Sequence, residues 1–266
     1  MIKVGNLNLI IMKSILLITL LLCFSFIATA KKTRIFSIGD STMADYDTTK
    51  YSGENEQRGW CQLLPEFLKK DVTLKNAAKN GRSSKSFYYE VWKNLRNELK
   101  AGDYVFIQFG HNDEKNNGLD TDVNDTTARG TAPWGQYQQF LTAYVKETRD
   151  RGAIPILFTS VTRGSFKDGK LPQSSLHNLS KDPSDTTMNY VLAMKHLAKK
   201  LSVPLVDMTA FTKKLVETYG PEKSKMELFI LKDNTHLKIE GARQFAKLAV
   251  IELKEMKILN EQLELK

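Results

Sequence analysis

Arg34-Ile35-Phe36-Ser37-Ile38-Gly39-Asp40-Ser41-Thr42 is an apolar, β-rich run that stops at a Gly-Asp-Ser turn. Four more short runs of the same character follow, at Val72–Asn76, Tyr104–Phe109, Ile154–Ser160 and Pro204–Val206. Their apolar residues are continuous rather than alternating, which predicts strands buried on both faces. Amphipathic helical stretches lie around them, at Trp60–Lys69, Lys85–Leu99, Tyr137–Arg151, Thr187–Leu201, Thr209–Tyr219 and Ile239–Lys257. In Tyr137–Arg151, for example, Phe140, Leu141, Tyr144, Val145 and Thr148 fall on one stripe. Strand-helix alternation predicts an α/β fold with a doubly wound parallel sheet. Such sheets bind ligands beyond the carboxyl ends of their strands.

Three polar, glycine-containing turns converge on that edge. The first strand runs into Gly39-Asp40-Ser41-Thr42, the second into Asn76-Ala77-Ala78-Lys79-Asn80-Gly81, and the third into Gly110-His111-Asn112-Asp113. Two long polar segments, Asp113–Pro133 and Arg163–Asp185, start there too. Loops of that length in one domain serve function or stay disordered.

A serine hydroxyl becomes a nucleophile only when a base takes its proton, and the oxyanion it creates needs donors. The chain offers a candidate for each part. Ser41 sits in a strand-to-helix turn with its hydroxyl free to project. The N–H groups of Ser41 and Gly81 and the amide of Asn112 are candidate oxyanion donors. His236 is the candidate base, and Asp233, three residues earlier, can hold its imidazole in one tautomer. Each piece alone has a plainer reading. Gly-Asp-Ser is commonly a turn or an N-cap, Gly110–Asp113 can be a polar turn, and Asp233–His236 can cap the last helix. The ordered set, with each piece at a strand end or ahead of the closing helix, is far more specific.

These blocks resemble the SGNH (GDSL-type) hydrolases: Gly39-Asp40-Ser41, Gly81, Gly110-x-Asn112-Asp113 and Asp233-x-x-His236. The resemblance narrows to the rhamnogalacturonan acetylesterase-like group, carbohydrate esterase family twelve. Gly39–Ala44, Arg58-Gly59-Trp60, Asn76-Ala77-Ala78, Gly81–Phe87, Gly110–Asp113, Thr159–Arg163 and Asp233–His236 carry it. It implies a flavodoxin-like three-layer α/β/α sandwich with a five-stranded parallel sheet. It also implies Ser41 as nucleophile and His236 as base and then acid, with Asp233 as its partner. It further implies an oxyanion hole formed by Ser41, Gly81 and Asn112, with no metal or cofactor. Two departures stand out. The family shows Gly-Trp-Gly-Gln where this chain has Gly59-Trp60-Cys61-Gln62, and the stretch after His177 differs from the related pattern.

The expected substrate is an acetylated plant cell-wall polysaccharide, most simply rhamnogalacturonan. The alternatives are acetylxylan or another carbohydrate ester, a lysophospholipase or thioesterase, and an inactive carbohydrate-binding relative. The segments Asn112–Arg129 and Arg163–Asp185 are rich in Asp, Asn, Thr, Ser and Lys, which suits sugars better than acyl chains.

Composition agrees with an exported chain. Lys13 precedes the apolar run Ile15–Ile27, and Ala28-Thr29-Ala30 ends it in small residues. This predicts a signal peptide over 1–30 and one hydrolase domain over 31–266, secreted or periplasmic. An uncleaved anchor is the competing reading, but the run is short for a span of roughly 20 residues. Lipidation at Cys23 is unsupported, because Leu20-Leu21-Leu22 offers no small residue before it. Met12 is the more natural start than Met1. Without the leader, one cysteine remains, Cys61, so no internal disulfide can form. Cys61 is expected to pack as a small apolar side chain. The 266-residue chain carries 39 Lys and Arg against 30 Asp and Glu. Removing Lys3 and Lys13 leaves it basic, which favours an anionic polysaccharide. No nucleic-acid motif is present, and no stable membrane association is expected after cleavage.

Overall fold

The computed structural model describes residues 32–53, 56–231 and 233–265. The leader expected over 1–30 lies outside the described residues. Five strands form one sheet: β1 Thr33–Gly39, β2 Val72–Asn76, β3 Tyr104–Gln108, β4 Ile154–Phe158 and β5 Leu205–Val206. They run all parallel in the order β2-β1-β3-β4-β5. The chain leaves β1 toward one edge of the sheet and returns from β2 to build the other. The reversal point therefore lies between the carboxyl ends of β1 and β3, where open parallel sheets place their ligands.

Each central strand sends alternate side chains to opposite faces, since the side-chain period of a strand is two. Ile35, Phe106, Ile156 and Phe158 enter one core; Phe36, Ile38, Val105, Ile107 and Leu157 enter the other. The first core is covered by α1 Trp60–Leu63, α5 Met208–Glu227 and α6 Ile239–Glu255, through Trp60, Val216 and Phe245. The second is covered by α2 Ser84–Phe87, α3 Gln138–Asp150 and α4 Tyr190–Leu201, through Phe87, Tyr144 and Leu197. The three-layer α/β/α sandwich read from the sequence is the fold observed. Cys61 is fully buried beside Trp60 and Leu64, and burial pushes its thiol well above the ordinary value.

Local differences have local causes. β2 alternates between buried and exposed residues instead of being covered on both sides, because it is an edge strand. The helix expected over Lys85–Leu99 is interrupted. It starts at Ser84 under a Ser83–Ser86 capping box, passes through a π turn at Tyr88–Trp92, and ends in a 3-10 turn at Arg96–Glu98. The helix expected to stop at Tyr219 does break there, at Gly220, and then resumes from Pro221 to Glu227. A proline is welcome in a first turn, where its missing N–H would have no partner anyway. Among the described residues no helix is long and apolar enough to cross a membrane.

Candidate active site

The turn after β1 is held from several sides. The Asp40 carbonyl accepts from Met43 N–H at 3.2 Å and Ala44 N–H at 3.1 Å. Its carboxylate Oδ1 accepts from the Thr42 N–H at 2.9 Å and the Thr42 hydroxyl at 2.8 Å. Trp60 Nε1 donates to Gln108 Oε1 at 3.0 Å, and Gln108 Nε2 donates to Thr42 Oγ1 at 2.8 Å. The Tyr46 hydroxyl donates to the Ser41 carbonyl at 2.9 Å. Ser41 is thus presented by a clamped backbone with its hydroxyl at the cavity, 8 % exposed.

His236 comes from the loop before α6, 195 residues further on, and its Nε2 lies 2.8 Å from Ser41 Oγ. Its Nδ1 meets Asp233 Oδ2 in a short hydrogen bond. The Asp233 Oδ1 accepts from the N–H groups of Thr235 at 2.9 Å and His236 at 3.1 Å. The Asp233 N–H donates to the Ile230 carbonyl at 3.0 Å, and the Ile230 N–H to the His236 carbonyl at 2.9 Å. Burial alone would raise the Asp233 carboxyl. The hydrogen bond and charge of His236, with the two backbone donors, outweigh it and bring the group down to about 2. An ionised carboxylate can only accept, so Nδ1 carries the proton. Nε2 is then left to accept from the Ser41 hydroxyl.

Asn112 follows β3. Its amide nitrogen donates to the Arg82 carbonyl at 3.2 Å, and its amide oxygen accepts from Arg129 Nη1 at 3.3 Å. Next to it, Asp113 is fully buried and anchors the loop, accepting from the Ser84 N–H at 3.0 Å and the Thr131 hydroxyl at 2.8 Å. Burial pushes its carboxyl up to about 7 against those donors. Gly81 adopts a φ of +74°, a conformation that side-chain-bearing residues rarely take.

Ser41, Asn112, Asp233 and His236 share the wall of one cavity of about 270 Å³. Gly81 does not line it. Gly81 belongs to a neighbouring cavity with Arg82 and Arg129, and Arg129 connects the two through Asn112.

His111, Lys115 and Arg163, to which no motif gives a role, complete the wall of the Ser41 cavity. Behind them sits a buried polar cluster. Arg163 Nη2 donates to Glu114 Oε2 at 2.5 Å, and His177 Nδ1 lies 2.6 Å from Glu114 Oε1. His177 Nε2 lies 2.8 Å from the Val161 carbonyl. Both nitrogens of the His177 ring therefore face oxygen acceptors, the Glu114 carboxylate on one side and the Val161 carbonyl on the other. The His111 ring packs edge-on against His177 at 4.6 Å, and its Nδ1 faces Asp40 Oδ2 at 3.5 Å. Burial pushes His111 down to about 4 despite Asp40. Two of four histidines in polar loops were the only available signal, and nothing in the sequence pairs them with Glu114. Among the described residues no three His, Cys, Asp or Glu side chains are grouped to hold a metal ion.

A serine activated by an oriented imidazole, with amide donors close by, is equipped for acyl transfer. Residues 35–249 match the family of GDSL-like lipases and acylhydrolases. The rhamnogalacturonan acetylesterase RhgT of Bacillus subtilis is 36 % identical over 241 residues, covering 85 % of this chain and 91 % of its own. A rhamnogalacturonan acetylesterase of Emericella nidulans is 27 % identical, covering 87 % of each chain. Among solved structures, the YxiM protein of Bacillus subtilis superposes with a TM-score of 0.66 at 24 % identity, covering 85 % of this chain and 57 % of that one. The acetylxylan esterase Axe2 of Geobacillus stearothermophilus superposes with a TM-score of 0.56 at 19 % identity, covering 84 % and 96 %. At those identities the superpositions speak for the fold.

Proposed function

The chain belongs to the GDSL-like lipase and acylhydrolase family of carboxylic ester hydrolases, and from that membership we propose a secreted carbohydrate O-acetylesterase acting on rhamnogalacturonan. The observation that carries the reading is the unbroken hydrogen-bonded line Ser41–His236–Asp233 at a small cavity with no aliphatic wall. A site of that size and polarity takes an acetyl group on a sugar. The Ser41 cavity itself has no aliphatic lining along which the chain of a lysophospholipid could lie. The relatives' substrate and the basic charge of the chain both favour an acetylated polymer rich in carboxylates.

The steps use only this chain's residues and water. Ser41 Oγ attacks the acetyl carbonyl while His236 Nε2 takes its proton, and Asp233 stabilises the imidazolium that forms. The oxyanion is received by the Ser41 N–H and the Asn112 amide; the Gly81 N–H, which belongs to the adjoining cavity, is the third donor implied by the family resemblance. For Asn112 this means exchanging its contact to the Arg82 carbonyl for the substrate oxygen. His236 then gives that proton to the sugar oxygen as its bond to the acetyl carbon breaks, so the sugar leaves as a free hydroxyl and acetyl-Ser41 remains. Water, deprotonated by His236, attacks that ester, and acetate leaves as Ser41 recovers its proton. Export rests on the leader read over 1–30, and N-terminal sequencing of the exported protein is expected to begin near Lys31.

The deciding experiment is acetate release from acetylated rhamnogalacturonan, xylan, mannan and a lysophospholipid, with purified enzyme. Rhamnogalacturonan is expected to be the best substrate. Preference for the lysophospholipid, or no release from any carbohydrate, overturns the reading.

A further inference from the structure

Beside the Ser41 cavity lies a second one of about 390 Å³, and the two share His111, Lys115 and Arg163. Its lining mixes two chemistries: Glu114, Lys115, Asn117 and Arg163 are charged or polar, and Leu179 and Met188 are apolar. None of these six takes part in the acyl-transfer steps.

The apolar wall is built deliberately from the long segment after Arg163. Asn178 pairs antiparallel with Asn189, and the Leu179 N–H donates to the Met188 carbonyl at 3.1 Å, so the two apolar side chains are neighbours. Between them the chain doubles back through turns at Asp182 and Asp185, whose carboxylates accept the N–H of Ser184 and Thr187 at 2.9 and 2.8 Å. Gly118 lets the opposite loop lie against this wall. A Cβ there would come within 2.4 Å of the Met188 methyl and 3.0 Å of Leu179. Pairing of this kind fixes two hydrophobes at the edge of an otherwise polar site, where Leu179 also packs against the core and both side chains line the cavity.

The polar wall has one charge to spare. The Arg163 guanidinium is occupied by Glu114, whose second oxygen holds His177. The Lys115 ammonium makes no ion pair among the described residues, and the side chain is exposed at the rim shared by both cavities.

We propose that this second cavity is the subsite for the sugar next to the acetylated residue, a 6-deoxyhexose whose methyl group lies on Leu179 and Met188, while Lys115 holds the carboxylate of the acetylated uronate. The assignment rests on the rhamnogalacturonan reading and deepens it. A polymer that alternates a 6-deoxyhexose with a uronate offers one group for each wall. A polymer of uronate alone offers the carboxylate and no methyl. A xylan backbone offers neither. Burying one methyl-sized group is worth about fourfold in binding, and a rim ion pair about three- to fivefold.

The test compares kcat/KM for acetate release from acetylated oligosaccharides of equal length from rhamnogalacturonan, homogalacturonan and xylan. The wild type is expected to rank them in that order. Lys115→Ala is expected to cut the preference for rhamnogalacturonan over xylan about three- to fivefold, through KM. High salt should reproduce that loss in the wild type, because a rim ion pair is screened. Met188→Asn is expected to cut the preference for rhamnogalacturonan over homogalacturonan about fourfold. Neither side chain is in the core, and the wild-type ranking stands as a test even without the variants. Equal use of all three substrates by the wild type overturns the subsite and leaves the esterase reading in place. Ratios unchanged in both variants do the same. No acetate from any of the three overturns both.

Discussion

Glu114 Oε1 lies 2.6 Å from His177 Nδ1, across 63 residues of sequence, and the same carboxylate grips Arg163 through its other oxygen. This buried ion cluster stands directly behind the residues that wall the Ser41 cavity. Burial would raise the Glu114 carboxyl, but the charges and hydrogen bonds of His177 and Arg163 overcome it and hold the group at about 2. That value has a consequence for stability. A free glutamate titrates near pH ~4.3, above the folded value. Stabilisation from this carboxylate is therefore full above about pH 4.3 and is lost as the pH falls through about 2.

Glu114→Gln should accordingly destabilise the fold by roughly 3 kcal/mol at neutral pH, because it leaves the buried His177 ring and the partly buried Arg163 guanidinium without their carboxylate. The gap between variant and wild type should narrow as the pH drops toward about 2. Urea unfolding of both proteins over that range measures it. A gap independent of pH would show that the carboxylate's charge is not what stabilises the cluster.

Ser41→Ala should abolish acetate release while leaving the fold intact, with kcat lower by on the order of 10⁴–10⁶. The side chain is small and its backbone is held by Thr42, Tyr46 and Gln108, so unfolding curves should overlay the wild type. Retained hydrolysis by rigorously purified variant would remove Ser41 from the proposed mechanism.

Asn112→Ala should lower kcat by roughly 10²–10³, the usual cost of one oxyanion donor. KM should change little, since the donor acts on charge that exists only in the transition state. Steady-state kinetics on one acetylated oligosaccharide decide this. A change confined to KM would assign the amide to sugar binding.

Asp233→Asn should cost on the order of 10⁴ in kcat, less than loss of the serine, because the carboxylate orients and stabilises His236 without itself reacting. The Asp233 carboxyl is held at about 2, so it stays ionised throughout the mildly acidic range. Any acid limb of kcat/KM above about pH 4 therefore belongs to another group, and it should persist in the variant. Disappearance of that limb in Asp233→Asn would assign it to Asp233.

Local features were legible in the order of residues. Continuous apolar runs placed β1, β3 and β4 because those strands are covered on both sides, and helical periodicity found α3 and α6 to within a few residues. Asp233 and His236 could be paired on paper since they lie three positions apart in one loop. Ser41 and Asn112 could be nominated because each follows a strand end in a parallel sheet. Contacts between distant segments follow only from the way the chain folds. Which loops touch depends on the strand order β2-β1-β3-β4-β5, which sets the ends of β1 and β3 side by side and leaves Gly81 on the adjoining cavity. Periodicity reports only whether a segment has a buried face. It cannot report that Glu114, Arg163 and His177, each in a polar loop with no periodic pattern, will meet below the surface. For the same reason the apolar pair Leu179 and Met188 reads as two stray hydrophobes in a hydrophilic stretch. Only the backbone pairing of Asn178 with Asn189 turns them into a wall.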